Sequence, residues 1–461
     1  MRYGAKRTSA RRGAAALIAM LYLVLLSTMA IGFYSAMSTA VQVSANDDHI
    51  ARAQTAAESG LEFMRYQLSR VTIPPNTEPS EVLDQLYADL QTQLDDTYNL
   101  TASGQQITRD ENTVLIPSSG ATISLDPSTA GSFNATITDW LGEIVVKVEG
   151  HYGTANVTRA ITLDFTRQAH SSTVFDFAVA SRGQIVMKKG AVTTVTGVDP
   201  KIATMMSAIS TDPGIKVTGG TIGGDLTVLE SSGVEVTGGS VGGSSIPSVI
   251  LASHVTEIPD APEFPTVDPT AYRSYAVNDW VDKKNLQKNI LVKANTNPTF
   301  NANDTVQGIL YIESPNEVTF NGSFKLQGFI VMETSGSTTD SLKFKGNVTQ
   351  SPVPNGAEFN ALRSTSGVAI LAPGAAVSMT GSTDSFVKGN IIVDTFSFAG
   401  SADLTVDQGT LMTLNPGAES AKFEGKNVKF TATGGNNTPT SGISYSQYYV
   451  PKPSTYQEVA P

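Results

Sequence analysis

The sequence contains no cysteine, although it has 461 residues. Disulfide bonds, thiolate metal sites and cysteine nucleophiles are therefore excluded, and stability must come from packing and backbone pairing. Charged residues are also scarce, at 16% against roughly 25% in an average soluble domain. Together with 40 glycines, this composition favours turn-rich β structure. The chain exceeds the roughly 100 to 200 residues of one domain, so several domains or one extended architecture are expected.

Positive charge is scarce outside the amino terminus. The net charge is −11, yet the segment Met1–Gly13 carries no acidic residue and five basic ones: Arg2, Lys6, Arg7, Arg11 and Arg12. Without these five, 26 basic residues oppose 42 acidic ones, which leaves a charge of −16. A body this acidic is not expected to bind nucleic acid, because such binding uses a basic face.

Motifs for known cofactors and catalytic centres are missing as well. The four histidines, His49, His151, His170 and His254, are too far apart in sequence for zinc-ligand spacing. The sequence has no phosphate-binding loop, no Gly-x-Ser-x-Gly element and no dinucleotide fingerprint before a helix. No metal, no cofactor and no enzymatic activity are therefore predicted.

A long uncharged segment follows the basic amino terminus. Charged residues are absent from Gly13 to Asn46, and residues 14–43 are mostly apolar. About 20 such residues cross a bilayer as a helix. Basic residues precede this segment and Asp47 and Asp48 follow it, so the positive-inside bias predicts a cytoplasmic amino terminus and an exported body.

Three interpretations of this segment remain open. A secretory signal peptide cut after Ala45 would need an unusually long apolar region, since about 7–15 residues are typical. An uncleaved anchor is the second, and a prepilin-type leader ending at Gly13 is the third. Apolar residues recur beyond the span at helical spacing: Ile50, Ala53, Ala57, Leu61, Met64 and Leu68. One helix over about residues 14–70 is therefore expected, and because a simple anchor does not need this extension, the third interpretation is favoured.

Two short elements carry a family resemblance. Residues 11–18 (RRGAAALI) and 56–61 (AAESGL) resemble the amino-terminal region of PilX-type minor pilins and of K-type minor pseudopilins of type II secretion. The resemblance covers about residues 7–70. It implies that a prepilin peptidase cleaves after Gly13, so that Ala14 becomes the N-methylated first residue of the mature protein. Ile18 stands where major pilins have a glutamate, a departure that fits a minor subunit.

The same resemblance assigns roles along the helix. The residues expected to lie in the membrane and to mediate assembly are Leu17, Ile18, Leu21, Leu25 and Ile31. The residues expected to pack the helix at the start of the exported body are Ala57, Glu58, Gly60 and Leu61. The implied location is the bacterial inner membrane, crossed once with the body in the periplasm, with possible incorporation into a cell-surface pilus.

Residues 71–167 are predicted to form a small α+β headpiece. Pro74, Pro75 and Pro79 end the long helix, and leucines at positions 83, 86, 90 and 94 define one face of a second helix. Alternating apolar and polar residues then predict strands between about 121 and 167, with a tight hairpin turn at Gly150–Gly153.

Internal repeats dominate the rest of the chain. The segment VTGGTIGG at 217–224 recurs as VTGGSVGG at 236–243, and Thr299-Phe300-Asn301 recurs as Thr319-Phe320-Asn321. Offsets of about 20 residues predict one coil per repeat in a parallel β-helix over residues 175–433, taken as right-handed, the commonest case. A proline-rich excursion at 258–289 interrupts it, and the Gly-, Asn-, Pro- and Tyr-rich tail at 434–461 is expected to cap the last coil.

The overall fold is thus expected to be α+β with a β-solenoid. The predicted function is that of a minor pilin-like or pseudopilin-like structural subunit of a type IV pilus or type II secretion-like assembly, displaying a β-helical rod for adhesion or assembly initiation. Expected partners are the inner membrane, the prepilin peptidase, other pilin subunits and surface glycans. The alternative is a membrane-tethered glycan-binding or carbohydrate-active β-helix protein. Its candidate residues lie in the later part of the repeat region: Arg363, Asp384, Lys388, Asp394, Asp403 and Asp407.

Overall fold

The computed structural model describes residues 9–75, 77–94, 100, 106–118, 120–125, 130–140, 143–153, 157–169, 173–188, 204–335, 339–365, 367–380, 384–400, 403–425, 429–432 and 442–460. A long apolar helix is followed by a large strand-rich region that contains a parallel sheet. The chain divides into two compact units: the first comprises Met1–Ala169 and Gln447–Pro461, and the second comprises His170–Ser446. The second unit, called the inserted unit below, therefore interrupts the sequence of the first.

The first unit begins with one helix from Ser9 to Ser69. It ends before Pro74 and Pro75, as the prolines predict. A second helix, Val82–Leu94, buries the leucine face that its spacing predicts. A short 3₁₀ turn, Pro453–Thr455, lies near the carboxyl end.

The first unit also contains an eight-stranded antiparallel sheet. Its strands are Thr108–Asp110, Thr113–Ile116, Ile123–Ser124, Gly131–Trp140, Glu143–Tyr152, Val157–Ala169, Gln447–Pro451 and Gln457–Val459. Buried and partly exposed side chains alternate along Glu143–Tyr152, because one face of the sheet packs on the core and the other does not.

The last residues of the chain complete this sheet instead of capping the last coil, which corrects the expectation for the tail at 434–461; Ile443–Ser444 pairs elsewhere, and residues 434–441 lie outside the described residues. Gln447 pairs with Ala169, and Gln457 pairs with Thr162, so both final strands extend the edge of Val157–Ala169. The physical reason is that this edge would otherwise expose unpaired backbone groups. Tyr449, which is buried, anchors the added strand in the core of the first unit.

In the inserted unit, the described residues form a 22-stranded sheet in which every registered pair is parallel. The strands are Val179–Ser181, Ile185–Met187, Met205–Ser207, Ile215–Ile222, Leu226–Leu229, Val234–Val241, Val255–Ile258, Asn278–Asp279, Leu286–Val292, Thr299–Phe300, Thr305–Ile312, Glu317–Phe320, Phe324–Met332, Ser341–Phe344, Val348–Ser351, Val368–Met379, Asp384–Lys388, Asn390–Gly400, Asp403–Asp407, Leu411–Thr413, Ala421–Gly425 and Lys429–Ala432. Short helical segments are Thr173–Asp176, Pro247–Ser253, Pro269–Tyr275, Ala357–Phe359 and Asn360–Arg363, and Thr266–Val267 pairs with Ile443–Ser444.

The sequence repeats correspond to neighbouring strands. Thr299 pairs with Thr319, and Val217 pairs with Val236, so the offset of each repeat is confirmed as the register of the sheet. The strands form three parallel ladders, each of which is a column of paired residues.

The three columns differ in their side chains. The double-sided ladder pairs Asn278, Ile290, Leu310, Ile330, Ile370, Ile391, Leu411, Val179, Met205, Leu226 and Val255 in that order. The phenylalanine ladder pairs Phe300, Phe320, Phe344, Met379, Phe398, Phe423, Met187, Val217 and Val236. The outer ladder pairs Leu286, Thr305, Lys325, Thr349, Phe386, Thr405 and Thr431.

The order of the strands does not follow the chain. Val179–Ser181, the first strand of the inserted unit, lies between Leu411–Thr413 and Met205–Ser207. The stack therefore runs from Asn278 at one end to Val255 at the other. The proline-rich segment expected as an excursion at 258–289 connects these two ends through a return connection, residues 259–277, whereas Asn278–Asp279 and Leu286–Val292 belong to the stack itself.

The return connection also covers an apolar surface. Strands of the double-sided ladder are buried on both faces; Ile309 through Ile312, for example, are all buried. Phe264, Tyr272 and Ala276 of the connection belong to the cluster on the outer face, and the Tyr272 ring lies 5.4 Å from that of Phe329. This cover explains why the strands contain continuous apolar runs, which are typical of strands buried on both sides.

Candidate membrane and assembly helix

The first part of the long helix is apolar and exposed on every side. It is long and apolar enough to cross a membrane, and each residue from Ala15 to Asp48 is exposed. The five predicted membrane and assembly residues follow this pattern, with exposed fractions from 49% to 69%: Leu17, Ile18, Leu21, Leu25 and Ile31. Apolar surface on all sides suits a lipid or subunit environment rather than water.

Polar side chains within this segment find partners inside the helix. The hydroxyls of Ser27, Thr28 and Thr39 donate hydrogen bonds of 2.7–2.9 Å to carbonyl oxygens three or four residues earlier. A bilayer supplies no water to satisfy such groups, so these internal bonds make the segment compatible with hydrocarbon.

The proposed processing site lies near the start of the same helix. Gly13 and Ala14 fall within Ser9–Ser69. The first eight residues, which carry most of the predicted leader, lie outside the described residues.

Charged side chains occur again on the helix where it reaches the sheet of the first unit. The Arg52 guanidinium bonds to the Asp48 carboxylate at 2.9 Å, four residues earlier on the helix. This hydrogen bond raises the pKa of Arg52. The centroid of the Tyr152 ring lies 5.5 Å from that of the His49 ring and 5.1 Å from the central carbon of the Arg52 guanidinium. These contacts mark the boundary between the exposed segment and the packed segment.

The second part of the helix packs directly on the sheet. Ala57 and Leu61 are buried in the core of the first unit, together with Ala53, Met64 and Leu68. Gly60 faces the sheet so closely that an added β-carbon would lie 2.6 Å from the Phe133 ring and 2.7 Å from Val148.

A glycine on the opposing strand makes the approach closer still. A β-carbon at Gly150 would overlap the carbonyl oxygen of Ala53 and the backbone nitrogen of Ala57. Two glycines therefore allow the close approach. At Gly60 the helix backbone contacts side chains of the sheet, and at Gly150 the strand backbone contacts the helix backbone. Sequence reasoning singled out Gly60 but wrongly placed Gly150 in the hairpin turn, whereas the structure places it within the strand Glu143–Tyr152. A glycine in a strand does not reveal from the sequence which neighbour approaches it.

Glu58 behaves differently from the other predicted packing residues. It is exposed, and it accepts a hydrogen bond from Gln54, which also donates to Glu458. Glu58 lines a groove of about 570 Å³ together with Leu61, Glu62, Arg65, Leu163, Pro451, Pro453 and Tyr456. Burial raises the pKa of Tyr456, and the Glu58 and Glu458 carboxylates add to this effect.

The residues named for the carbohydrate-active alternative are only partly brought together. Lys388 pairs in register with Asp407, and their charged groups are 3.8 Å apart. Asp394 accepts a hydrogen bond from Asn415, and Asp384 pairs in register with Asp403. Across the described ranges, no group of three His, Cys, Asp or Glu residues is placed to hold a metal ion.

Two cations of that set do share a concave site. Arg363 and Lys388 line a groove of about 290 Å³ whose walls include Phe329, Leu362 and Val368. The Arg363 guanidinium is held in place by the carbonyl of Pro354 and the side chain of Asn360. This arrangement places two cationic side chains beside an apolar wall, and one of them, Lys388, also lies 3.8 Å from the Asp407 carboxylate.

Comparison with known proteins assigns no family. No family model and no curated protein matches the chain. Among solved structures, the chain is similar to the competence-associated pilin ComZ from Thermus thermophilus, at 10% sequence identity and a TM-score of 0.23. The alignment covers 89% of this chain and 97% of that chain. A likeness this weak carries no argument about fold or function, so the function is argued from the helix itself.

Proposed function

We propose that this chain is a minor pilin-like or pseudopilin-like structural subunit of a type IV pilus or type II secretion-like assembly. The observation that carries the proposal is the division of one continuous helix into two parts. Its first part is apolar and exposed on all sides, and its second part is packed on an antiparallel sheet through small residues. A tether needs only the first part, whereas a subunit that holds its headpiece at a fixed position on a helical fibre needs both.

The mechanism follows from this division. Prepilin peptidase removes the basic leader after Gly13 on the cytoplasmic side, and the helix remains in the inner membrane with its body in the periplasm. The exposed apolar segment then leaves the lipid by packing against equivalent helices of other subunits. Ile18 offers no carboxylate to a neighbour's terminal ammonium, which fits a subunit that is not repeated along the fibre.

The inserted unit is the part that the assembly would display. We infer that its three ladders form a parallel β-helix of right-handed sense, without catalytic activity, that serves adhesion or the initiation of assembly. Threonine and lysine of the outer ladder, with the exposed ring of Phe386, form a surface suited to contacts with glycans or other subunits.

Photo-crosslinking within the assembled fibre tests the proposal. A diazirine-bearing aliphatic side chain at Leu25, which is 49% exposed, should crosslink to the helix of another subunit. The same side chain at Leu68, buried against its own sheet, is the matched control and should give no intermolecular product. Crosslinks from position 25 to lipid alone, in cells that assemble fibres, would favour a tether.

A membrane-tethered glycan-binding protein is the second candidate. The groove that contains Arg363 and Lys388 favours it, because cations beside an apolar wall suit acidic sugars. If this candidate is correct, the full chain binds acidic glycans on an array and Lys388→Ala weakens that binding severalfold. Lys345→Ala, at an exposed position outside both this groove and the outer ladder, is the control and should leave binding unchanged.

A further inference from the structure

The stack of parallel strands in the inserted unit has two open ends. At one end, Val255–Ile258 is in register only with Leu226–Leu229, and Val234–Val241 only with Ile215–Ile222, among the described residues. At the other end, Asn278–Asp279 is in register only with part of Leu286–Val292. A strand with a partner on one side only must be covered by a helix or a loop of its own chain, or by another chain. The first strand of the unit lies inside the stack, so neither end is where the chain enters.

The end formed by Val234–Val241 and Val255–Ile258 is apolar and acidic, and is called the acidic end. The helix Pro247–Ser253 covers it, burying Ile250 in the core. Three apolar side chains beside or on this helix remain 40–57% exposed: Ile246, Val249 and Leu251. Residues 217–272 contain no lysine or arginine, and Glu230 and Glu257 are exposed at this end.

The end formed by Asn278–Asp279 is concave and carries lysines, and is called the basic end. A groove of about 460 Å³ is lined there by Asn278, Asp279, Val281, Lys284, Leu286, Gln287, Lys288 and Ile290. Val281 and Leu286 are 50% and 48% exposed, and Asp282, Lys283 and Lys284 between them are also exposed. Lys288 and Asp279 are already paired with Glu358 and Lys293, so the positive charge of this end comes from Lys283 and Lys284. The Trp280 ring closes the core beneath by packing on Phe300 at 6.4 Å, so the apolar side chains of the groove face outward.

We propose that the acidic end of one copy docks on the basic end of a second copy, so that inserted units associate head to tail. The partner is a second copy of this chain because its own two ends are complementary: an apolar helix among acidic residues at one, and an apolar groove among lysines at the other. The helix enters the groove, and Glu230 and Glu257 approach Lys283 and Lys284. Since the two surfaces differ, the contact is heterologous and permits rows of more than two copies.

The absence of cysteine from the sequence allows a direct test on the full chain in detergent. Val249→Cys and Leu286→Cys proteins, mixed and oxidised, should form a disulfide-linked dimer that contains one copy of each. Phe386→Cys, exposed in the middle of the outer ladder, replaces Leu286→Cys in the control and should give only background dimer with Val249→Cys. If Val249→Cys and Leu286→Cys give no more dimer than the control pair, the proposal is overturned. It is also overturned if Val249→Cys alone forms as much homodimer as this pair forms heterodimer, because that result indicates an isologous contact.

Charge reversal provides a second measurement. Lys283→Glu with Lys284→Glu in the Leu286→Cys chain should lower the heterodimer yield about fivefold, as expected for two solvent-exposed charge pairs. Adding Glu230→Lys and Glu257→Lys to the Val249→Cys chain should restore it. If the heterodimer yield changes with neither charge reversal, the assignment of the two ends is overturned. This test is independent of the proposed pilin function, because it depends only on the inserted unit.

Discussion

Single residues decide how the long helix meets the headpiece. Gly150 lets the strand Glu143–Tyr152 approach the helix backbone at Ala53 and Ala57, and Gly60 lets the helix approach the Phe133 and Val148 side chains. Gly60 belongs to the AAESGL element on which the resemblance to minor pilins rests. Gly150 and the exposure of Glu58 required the structure, because strand and helix patterns do not specify which face a given neighbour touches.

We expect Gly60→Ala to destabilise the first unit. Alanine is favoured over glycine in a helix by about 1 kcal/mol, but here the added methyl group meets Phe133 and Val148. Overpacking of this kind costs about 1–3 kcal/mol, so a net loss is expected. Thermal unfolding in detergent measures it, with Ser59→Ala at the adjacent exposed position as control. Equal stability of the two variants would show that the contact is looser than described.

Alkaline pH should weaken the inserted unit through Tyr445. Burial raises the pKa of Tyr445 to about 12, and the Glu263 carboxylate contributes to the shift. An unfolded tyrosine has a pKa near 10, so the folded state favours the neutral phenol. The resulting stability is present below about pH 10 and is lost as the pH rises towards 12. Tyr445→Phe should therefore flatten the decline of unfolding free energy over this range, whereas Tyr66→Phe, at an exposed site, should not.

At the scale of elements, the stacked rings of the phenylalanine ladder hold neighbouring strands together. Phe320 is fully buried between Phe300, at 5.2 Å, and Phe344, at 4.4 Å, with all three rings nearly parallel. The repeated Thr-Phe-Asn segment predicted that Phe300 and Phe320 are neighbours. The continuous apolar strands of the double-sided ladder were not recognised, because a run of buried residues has no period that separates inner from outer faces.

We expect Phe320→Ala to lower the unfolding free energy of the inserted unit by about 3–5 kcal/mol, the usual cost of truncating a buried aromatic residue. Lys325→Ala, at an exposed position in the next strand, should change it by less than about 0.5 kcal/mol. Denaturant unfolding followed by far-ultraviolet circular dichroism measures both. A loss below about 1 kcal/mol for Phe320→Ala would contradict the close packing of the ladder.

At the scale of the whole molecule, the sequence order and the spatial order of the strands differ. Repeats revealed which segments adjoin, but a period alone cannot reveal that the first strands of the inserted unit stack on its last ones. Similarly, composition identified a proline-rich segment at 258–289 but not its role as a return connection. That role depends on where the two ends of the stack lie, which is a property of the folded chain.

The return connection must be long enough to span the stack. The double-sided ladder places ten strand spacings between Val255–Ile258 and Asn278–Asp279, on the order of 48 Å at about 4.8 Å each. Deleting residues 259–266 leaves 12 residue-to-residue steps between Ile258 and Asn278, and a fully extended chain of that length reaches about 40–43 Å. Deleting 260–263 leaves 16 steps, which reach about 53–58 Å. We expect only the longer deletion to abolish the native order of strands. Limited proteolysis measures this, and equal protection of both deletions would contradict the return path.

The mature amino terminus tests the central claim of a pilin-like subunit most directly. The measurement is the intact mass and amino-terminal sequence of the protein purified from its native membrane. The account predicts a chain that begins at Ala14 and carries an N-methyl group, because cleavage after Gly13 releases the helix for assembly. A chain that retains Met1, or one that begins at Asn46, would contradict the account.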